Sequence, residues 1–240
     1  MDIDGKTALV TGGTDGIGAE IARQLKARGA NVIVAGRDAG RVKTAQDAGF
    51  EAIQADLTSP EGVATLVDAL GGRSIDILVN NAGMGVDHDF REAAPDLEAA
   101  DKAIFLNLNA PIRLIAALMT MLRSRPQAAI VNVTSGLAIA PRAGGPVYCA
   151  TKAGLRSYTQ ALRAQLAGTK VRVIEALPPV VETRMTAARG GKKMSPAECA
   201  RQIVEGIQQD KPEISVGLTK VLQLVNSASP ALARRIMLKF

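Results

Sequence analysis

The apolar run Lys6-Thr7-Ala8-Leu9-Val10 passes directly into Thr11-Gly12-Gly13-Thr14-Asp15-Gly16-Ile17-Gly18, and that turn into a helical pattern with Ile21, Ala22 and Leu25 on one face. A buried strand that turns on glycines into a helix commits the chain to crossover units, because the helix must pack back over the sheet before a parallel neighbour can form. The glycines also let the backbone approach a pyrophosphate, whose charge the unpaired N–H groups at the helix start then stabilise. The spacing, Gly12-x3-Gly16-x-Gly18, is looser than G-x-G-x-x-G. A second strand pattern, Asn31-Val32-Ile33-Val34-Ala35-Gly36, ends about twenty residues beyond the turn, where a ribose-reading residue is expected.

Strand patterns recur at residues 6–10, 31–35, 52–55, 75–79, 129–133, 171–177 and 213–216, with helical patterns between them. They predict a three-layer, doubly wound Rossmann fold of the α/β class with a seven-stranded parallel sheet, in a single domain over residues 1–240. Neither a solenoid-length repeat nor a low-complexity stretch interrupts the pattern. The start, Met1-Asp2-Ile3-Asp4-Gly5-Lys6, lacks the character of a signal peptide, and no uninterrupted apolar span of bilayer length is read, so a cytoplasmic location is expected. Cys149 and Cys199 lack metal-ligand spacing, and with one histidine, His88 in a polar loop, no metal site is expected. The net charge of +6 comes with an aromatic content of 2% and no Lys/Arg run beyond two residues, which argues against nucleic acid.

Tyr148 stands four residues before Lys152, on a segment whose composition favours a helix over residues 148–167, so phenol and ammonium share a face. A neighbouring ammonium lowers a phenol's pKa toward that of a working proton donor. Ser135, after the strand at 129–133, offers a second hydroxyl, with Thr134 as its competitor. The other tyrosine, Tyr158, falls off the face that pairs with Lys152. Farther upstream, Pro111 has no N–H and its ring clashes with the carbonyl of Asn107, which leaves that carbonyl without a helical partner.

Thr11-Gly12-x3-Gly16-Ile17-Gly18, Asp56, Asn80-Asn81-Ala82-Gly83, Asn107, Ser135, Tyr148-x3-Lys152 and the segment from Pro178 to Thr183 occur in the order and approximate spacing of one family. The chain resembles a single-domain short-chain dehydrogenase/reductase over residues 6–183. Within that family, Tyr148-Cys149-Ala150-Thr151-Lys152, Leu177-Pro178-Pro179-Val180-Val181-Glu182-Thr183 and Lys193-Met194-Ser195-Pro196 most resemble DltE-like members. The resemblance implies a catalytic set of Asn107, Ser135, Tyr148 and Lys152. Ser135 would hold the substrate carbonyl, Tyr148 would exchange the proton, Lys152 would lower the Tyr148 pKa and hold the nicotinamide ribose, and Asn107 would fix a water that replenishes the proton. Cofactor contacts are implied for Gly12, Thr14, Asp15, Gly16, Ile17, Gly18, Arg37, Asp56, Leu57, Asn80, Ala82, Gly83, Tyr148, Lys152, Pro178, Val181 and Thr183. Of these, Asp56 would accept from the adenine amino group, or cap the helix beginning near Ser59-Pro60-Glu61.

A diol-binding acid is expected at the end of the second strand, where Gly36 stands instead, followed by Arg37, which suits a 2′-phosphate. NADP(H) is therefore favoured over NAD(H), with Asp15 and Asp38 as the anions that oppose it. Pro179 replaces a family glycine, so backbone contacts there are expected to differ. Residues 184–198 occupy the place of a substrate lid, where Arg184, Arg189, Lys192 and Lys193 would either recruit an acidic substrate or face solvent. Residues 218–240 form a helical tail divided at Pro230, its apolar positions running from Val221 to Phe240, expected to pack on the domain or a second subunit in preference to a membrane. The resemblance implies a homodimer or homotetramer. The function expected is hydride transfer between NADP(H) and a small ketone, aldehyde or secondary alcohol, the alternative being a cofactor-binding sensor without turnover.

Overall fold

The computed structural model describes residues 1–239; Phe240, expected in the tail's apolar series, lies outside the described residues. Strands β1 (Thr7–Thr11), β2 (Asn31–Gly36), β3 (Glu51–Gln54), β4 (Ile77–Asn80), β5 (Ala128–Val133), β6 (Val171–Leu177) and β7 (Glu213–Ser215) form one sheet in the order β3-β2-β1-β4-β5-β6-β7. Every pairing is parallel. The sheet and its flanking helices are the α/β arrangement read from the sequence. Strand residues alternate between two cores. Ala8, Val10, Val32 and Val34 face helix α1 (Gly16–Lys26) and helix α7 (Pro196–Gln208), whereas Leu9, Ile33, Leu78 and Ile130 face α3 (Pro60–Leu70), α5 (Ala110–Ser124) and α6 (Pro146–Gln165). Helix α2 (Ala39–Asp47) joins the first face through Ala45.

Strand order reverses between β1 and β4, and this switch point opens a crevice at the carboxyl ends of the strands. Helix α4 (Leu97–Ile104) runs into α5 through a π turn, Phe105–Asn109, which is the form taken by the interruption expected at Pro111. The continuous helical run Leu97–Ser124 has a mean hydropathy of 1.5 in its most apolar window, long and apolar enough to cross a membrane, which corrects the expectation that no such span exists. Its apolar face is occupied, since Leu106, Leu114, Ile115, Leu118 and Leu122 are buried in the second core.

The proposed lid starts with a short 3-10 turn at Arg184–Thr186 and returns through a bridge between Val181 and Met194; residues 196–198 already belong to α7. The tail forms α8 (Thr219–Ala228) and α9 (Pro230–Met237), split where Pro230 was expected to divide it. Leu222 approaches Gly136, but Leu218, Val221, Leu224, Leu232 and Ile236 are exposed, so the tail packs less on the sheet domain than its composition suggested.

Candidate active site

A cleft of about 730 Å³ occupies the switch point. Its wall includes Gly12, Thr14, Asp15, Gly16 and Ile17 from the glycine turn, Arg37, Asp56 and Leu57 from the strand ends beside it, and Ala82 and Gly83 after β4. Ser135, Tyr148, Lys152, Pro178, Val181 and Thr183 close the other end, with Pro179 among them. Three residues assigned from the sequence lie behind the wall. Asn80 is buried and donates to Asn132 Oδ1 at 2.9 Å; Asn81 lines the cleft in its place, its side chain donating to the Thr11 and Gly12 carbonyls at 3.0 and 3.3 Å. Gly18 is buried at the start of α1, and Asn107 is buried in the π turn. Asp56 accepts from Thr58 N–H at 3.1 Å, while Ser59 caps α3.

Gly12 has a φ of 62°, a left-handed turn that leaves its face to the cleft clear of side chain. Gly18 is needed for packing: a Cβ there would stand 2.2 Å from the Gly12 carbonyl oxygen. Gly18→Ala is therefore expected to destabilise the protein by about 1–3 kcal/mol and to weaken cofactor binding. At Gly190, where a Cβ meets nothing within 4 Å, the same change is expected to leave Tm unaltered in a thermal melt.

Helix α6 carries Tyr148 and Lys152 on one face, with Lys152 Nζ 5.8 Å from the Tyr148 ring centroid. The ammonium is buried and donates to the Val133 carbonyl at 2.8 Å. Burial lowers the Lys152 pKa to about 8 and raises that of Tyr148, whose phenol is pulled back chiefly by the Ser135 hydroxyl and by the Arg189 and Arg142 charges. The expected lowering of the phenol by Lys152 is thus not what this arrangement produces. The ammonium is itself desolvated and turned toward β5. Ser135 Oγ accepts from Leu137 N–H at 3.1 Å, which leaves its own proton to donate into the cleft. The Thr134 hydroxyl is committed to Glu175 Oε1 at 2.7 Å and to the Ala176 carbonyl at 3.2 Å. Tyr158, on the same helix, packs against the second core.

The Asn107 side chain is fully engaged. Its Oδ1 accepts from Met84 N–H at 2.9 Å, and its Nδ2 donates to the Met84 carbonyl at 2.9 Å and to Thr151 Oγ1 at 3.0 Å. Pro111, four residues on, has no N–H to give the Asn107 backbone carbonyl.

At the far end of the cleft Arg37 is exposed, and a second cation that the sequence reading missed lies on the first turn of α2. Arg41 reaches Asp15 Oδ2 at 3.4 Å and Asp38 Oδ2 at 3.6 Å. Asp15 caps α1 by accepting from Gly16 N–H at 2.8 Å, and Asp38 caps α2 by accepting from Arg41 N–H at 2.9 Å. Both anions that opposed a 2′-phosphate are therefore held by helix starts and by a guanidinium. A cation four residues beyond Arg37 was the available signal. Three of the four cations between Arg184 and Lys193 also have protein partners: Arg184 lies 4.0 Å from Asp15, Arg189 3.6 Å from Asp87, and Lys193 donates to the Thr186 carbonyl at 2.6 Å. His88 packs edge-on against Phe90, and Cys149 and Cys199 are buried free thiols. Among the described residues no cluster has metal-ligand composition.

The model of the short chain dehydrogenase family matches residues 6–193. The chain belongs to that family. It is 37% identical over 225 residues to an uncharacterized oxidoreductase, DltE, of Bacillus subtilis, a match covering 90% of this chain and 89% of the relative. A short-chain dehydrogenase from Burkholderia cenocepacia solved in complex with NADP superposes with a TM-score of 0.88 at 28% identity, covering 99% of both chains. The bulky-bulky ketone specific alcohol dehydrogenase of Comamonas testosteroni superposes with a TM-score of 0.81 at 28% identity, covering 95% of this chain and 93% of that one. This short-chain dehydrogenase is accordingly an NAD(P)-dependent oxidoreductase, of the DltE-like kind that its motifs resembled.

Proposed function

We propose that the protein is an NADP(H)-dependent reductase of a small ketone or aldehyde, or in reverse a dehydrogenase of a secondary alcohol, with Tyr148 as the general acid and base. The observation that carries this reading is the convergence of Ser135, Tyr148 and Lys152 on one end of a cleft whose other end is an open glycine cradle. The cradle fits a dinucleotide, since a Cβ on Gly12 would meet the Ala82 Cα at 3.0 Å and one on Gly16 the Thr183 Cγ2 at 3.1 Å. The nicotinamide, when bound, supplies the hydride. Ser135 donates a hydrogen bond to the substrate oxygen and keeps its proton, and Tyr148 transfers the phenolic proton as that oxygen gains charge. Lys152 orients a ribose hydroxyl beside the phenol, and the Asn107 carbonyl fixes the water through which the proton returns. A panel of ketones, aldehydes and secondary alcohols, followed at the reduced-nicotinamide absorbance, tests the reading. The absence of turnover with every member would defeat it.

NADP(H) is favoured because Gly36 offers no carboxylate to a ribose diol and Arg37 and Arg41 flank the same corner. The NADP complex of the Burkholderia relative supports this choice. A charge-assisted contact of this kind contributes about 1.5–3 kcal/mol, so Arg37→Ala combined with Arg41→Ala is expected to weaken NADPH binding by about 100-fold or more and leave NADH unchanged. Titrating the fluorescence of the reduced cofactor measures both, and equal losses for the two cofactors would overturn the assignment. Assembly as a homodimer or homotetramer belongs to the same proposal, supported by exposed Leu97 and Ile104 on the helical run that carries Asn107.

A further inference from the structure

Two rungs join α6 to the end of β5, and the catalytic set accounts for one. Lys152 Nζ donates to the Val133 carbonyl at 2.8 Å. One helical turn farther on, Arg156 Nη1 donates to Glu175 Oε2 at 2.9 Å, and the other carboxylate oxygen accepts from Thr134 Oγ1 at 2.7 Å. Thr134 immediately precedes Ser135. The two rungs thus grip consecutive residues, Val133 and Thr134, from the helix that also carries Tyr148. Glu175 stands within β6, opposite Asn132 of β5, and is wholly buried. Arg156 is steadied on its other side by Glu213 of β7, 3.1 Å from Nη2.

A carboxylate in this place is costly for the fold. Burial pushes its pKa up, against the pull of Thr134 and Arg156. Well-packed apolar residues in place of a buried ion pair are often neutral or stabilising, so stability alone gives no reason for an acid in the middle of Val171–Leu177. What the pair does supply is direction: a planar carboxylate held at both oxygens has one orientation, and it ties a point on α6 to a point on β5.

We propose that Glu175 is a positioning residue, which through Arg156 and Thr134 fixes the Ser135 hydroxyl against the Tyr148 phenol so that both address one substrate oxygen. It touches neither substrate nor cofactor. The proposal rests on the catalytic reading of Ser135 and Tyr148 given above, and its test includes a measurement that needs no turnover.

The chain contains two tyrosines, so in a Tyr158→Phe background the Cζ carbon resonance of labelled tyrosine reports on Tyr148 alone. Ser135→Ala in that background gives the resonance position of a phenol deprived of its serine neighbour. The double variant Glu175→Leu, Arg156→Met removes the ion pair and refills its space. It is expected to keep its Tm and cofactor affinity, to shift the Tyr148 resonance toward that of Ser135→Ala, and to lose kcat about 100-fold, the penalty of a misplacement near 1 Å. Glu175→Gln, which keeps an acceptor for Thr134, is expected to recover part of both losses and serves alone if the double variant does not fold. A folded variant with the resonance at its original position, or with unchanged kcat, overturns the proposal. If the parent protein turns over no carbonyl compound, the catalytic reading fails by itself, and the resonance still decides whether Glu175 positions Ser135.

Discussion

Tyr148→Phe is expected to lower kcat for carbonyl reduction by about 10²- to 10⁴-fold, the range that a positioned proton donor supplies, while cofactor affinity stays within about twofold of the parent. The ring is retained and only the hydroxyl lost, so the cleft keeps its shape. Because burial raises the Tyr148 pKa, the phenol remains protonated at neutral pH and above. Reduction by the parent enzyme is therefore expected to be flat with pH across neutrality. Alcohol oxidation, which needs the phenolate, should climb as pH rises. Steady-state rates in both directions against pH measure this, and a Phe variant that retains a tenth or more of the parent kcat would remove Tyr148 from the chemistry.

Lys152→Met is expected to abolish turnover and at the same time to stabilise the cofactor-free protein. A lysine held at about 8 in place of 10.5 binds its proton less well folded than unfolded. The unfolded chain therefore carries more protons between those values, and stability rises with pH across that window. Below pH 8 the full penalty applies, about 3 kcal/mol by the usual conversion. Removing the ammonium relieves it, less about 1 kcal/mol for the lost bond to Val133. The variant should thus be more stable than the parent by about 2 kcal/mol at pH 7, with the difference shrinking as pH rises from 8 toward 10.5. Urea midpoints at pH 7 and 9.5 check the sign. A variant less stable at pH 7 would mean that the ammonium is not desolvated as the structure shows.

The parallel sheet was legible because strands buried on both faces read as continuous apolar runs, and their bounds differ from expectation by at most two residues. What pattern alone missed depends on direction. Asn80 and Asn81 are equivalent as letters, yet β4 ends between them, so one side chain is spent inside the sheet on Asn132 and the other on the glycine turn. Arg41 becomes a neighbour of Asp15 only once α2 turns its first residues back over the cleft. Spacing put Lys152 and Tyr148 on one face, but it carried no information on how much solvent either would lose, and desolvation proved the larger influence on both. Glu175 was the clearest unused signal, an acid within an apolar run; its partner Arg156 sits on a helix nineteen residues upstream, out of reach of any local pattern.

The π turn at Phe105–Asn109 makes chain length in this stretch less negotiable than chemistry. Deleting a single residue there would return the run to uniform α register, because the wide turn takes up one extra residue; the two flanks would keep their faces and only the residues of the turn would change place. Leu114, Ile115 and Leu122 would stay in the core, but Asn107, inside the turn, would lose its place beside Thr151. An exchange such as Leu108→Met asks nothing of that geometry. Sequence drift in this segment should therefore proceed by replacement and never by shortening.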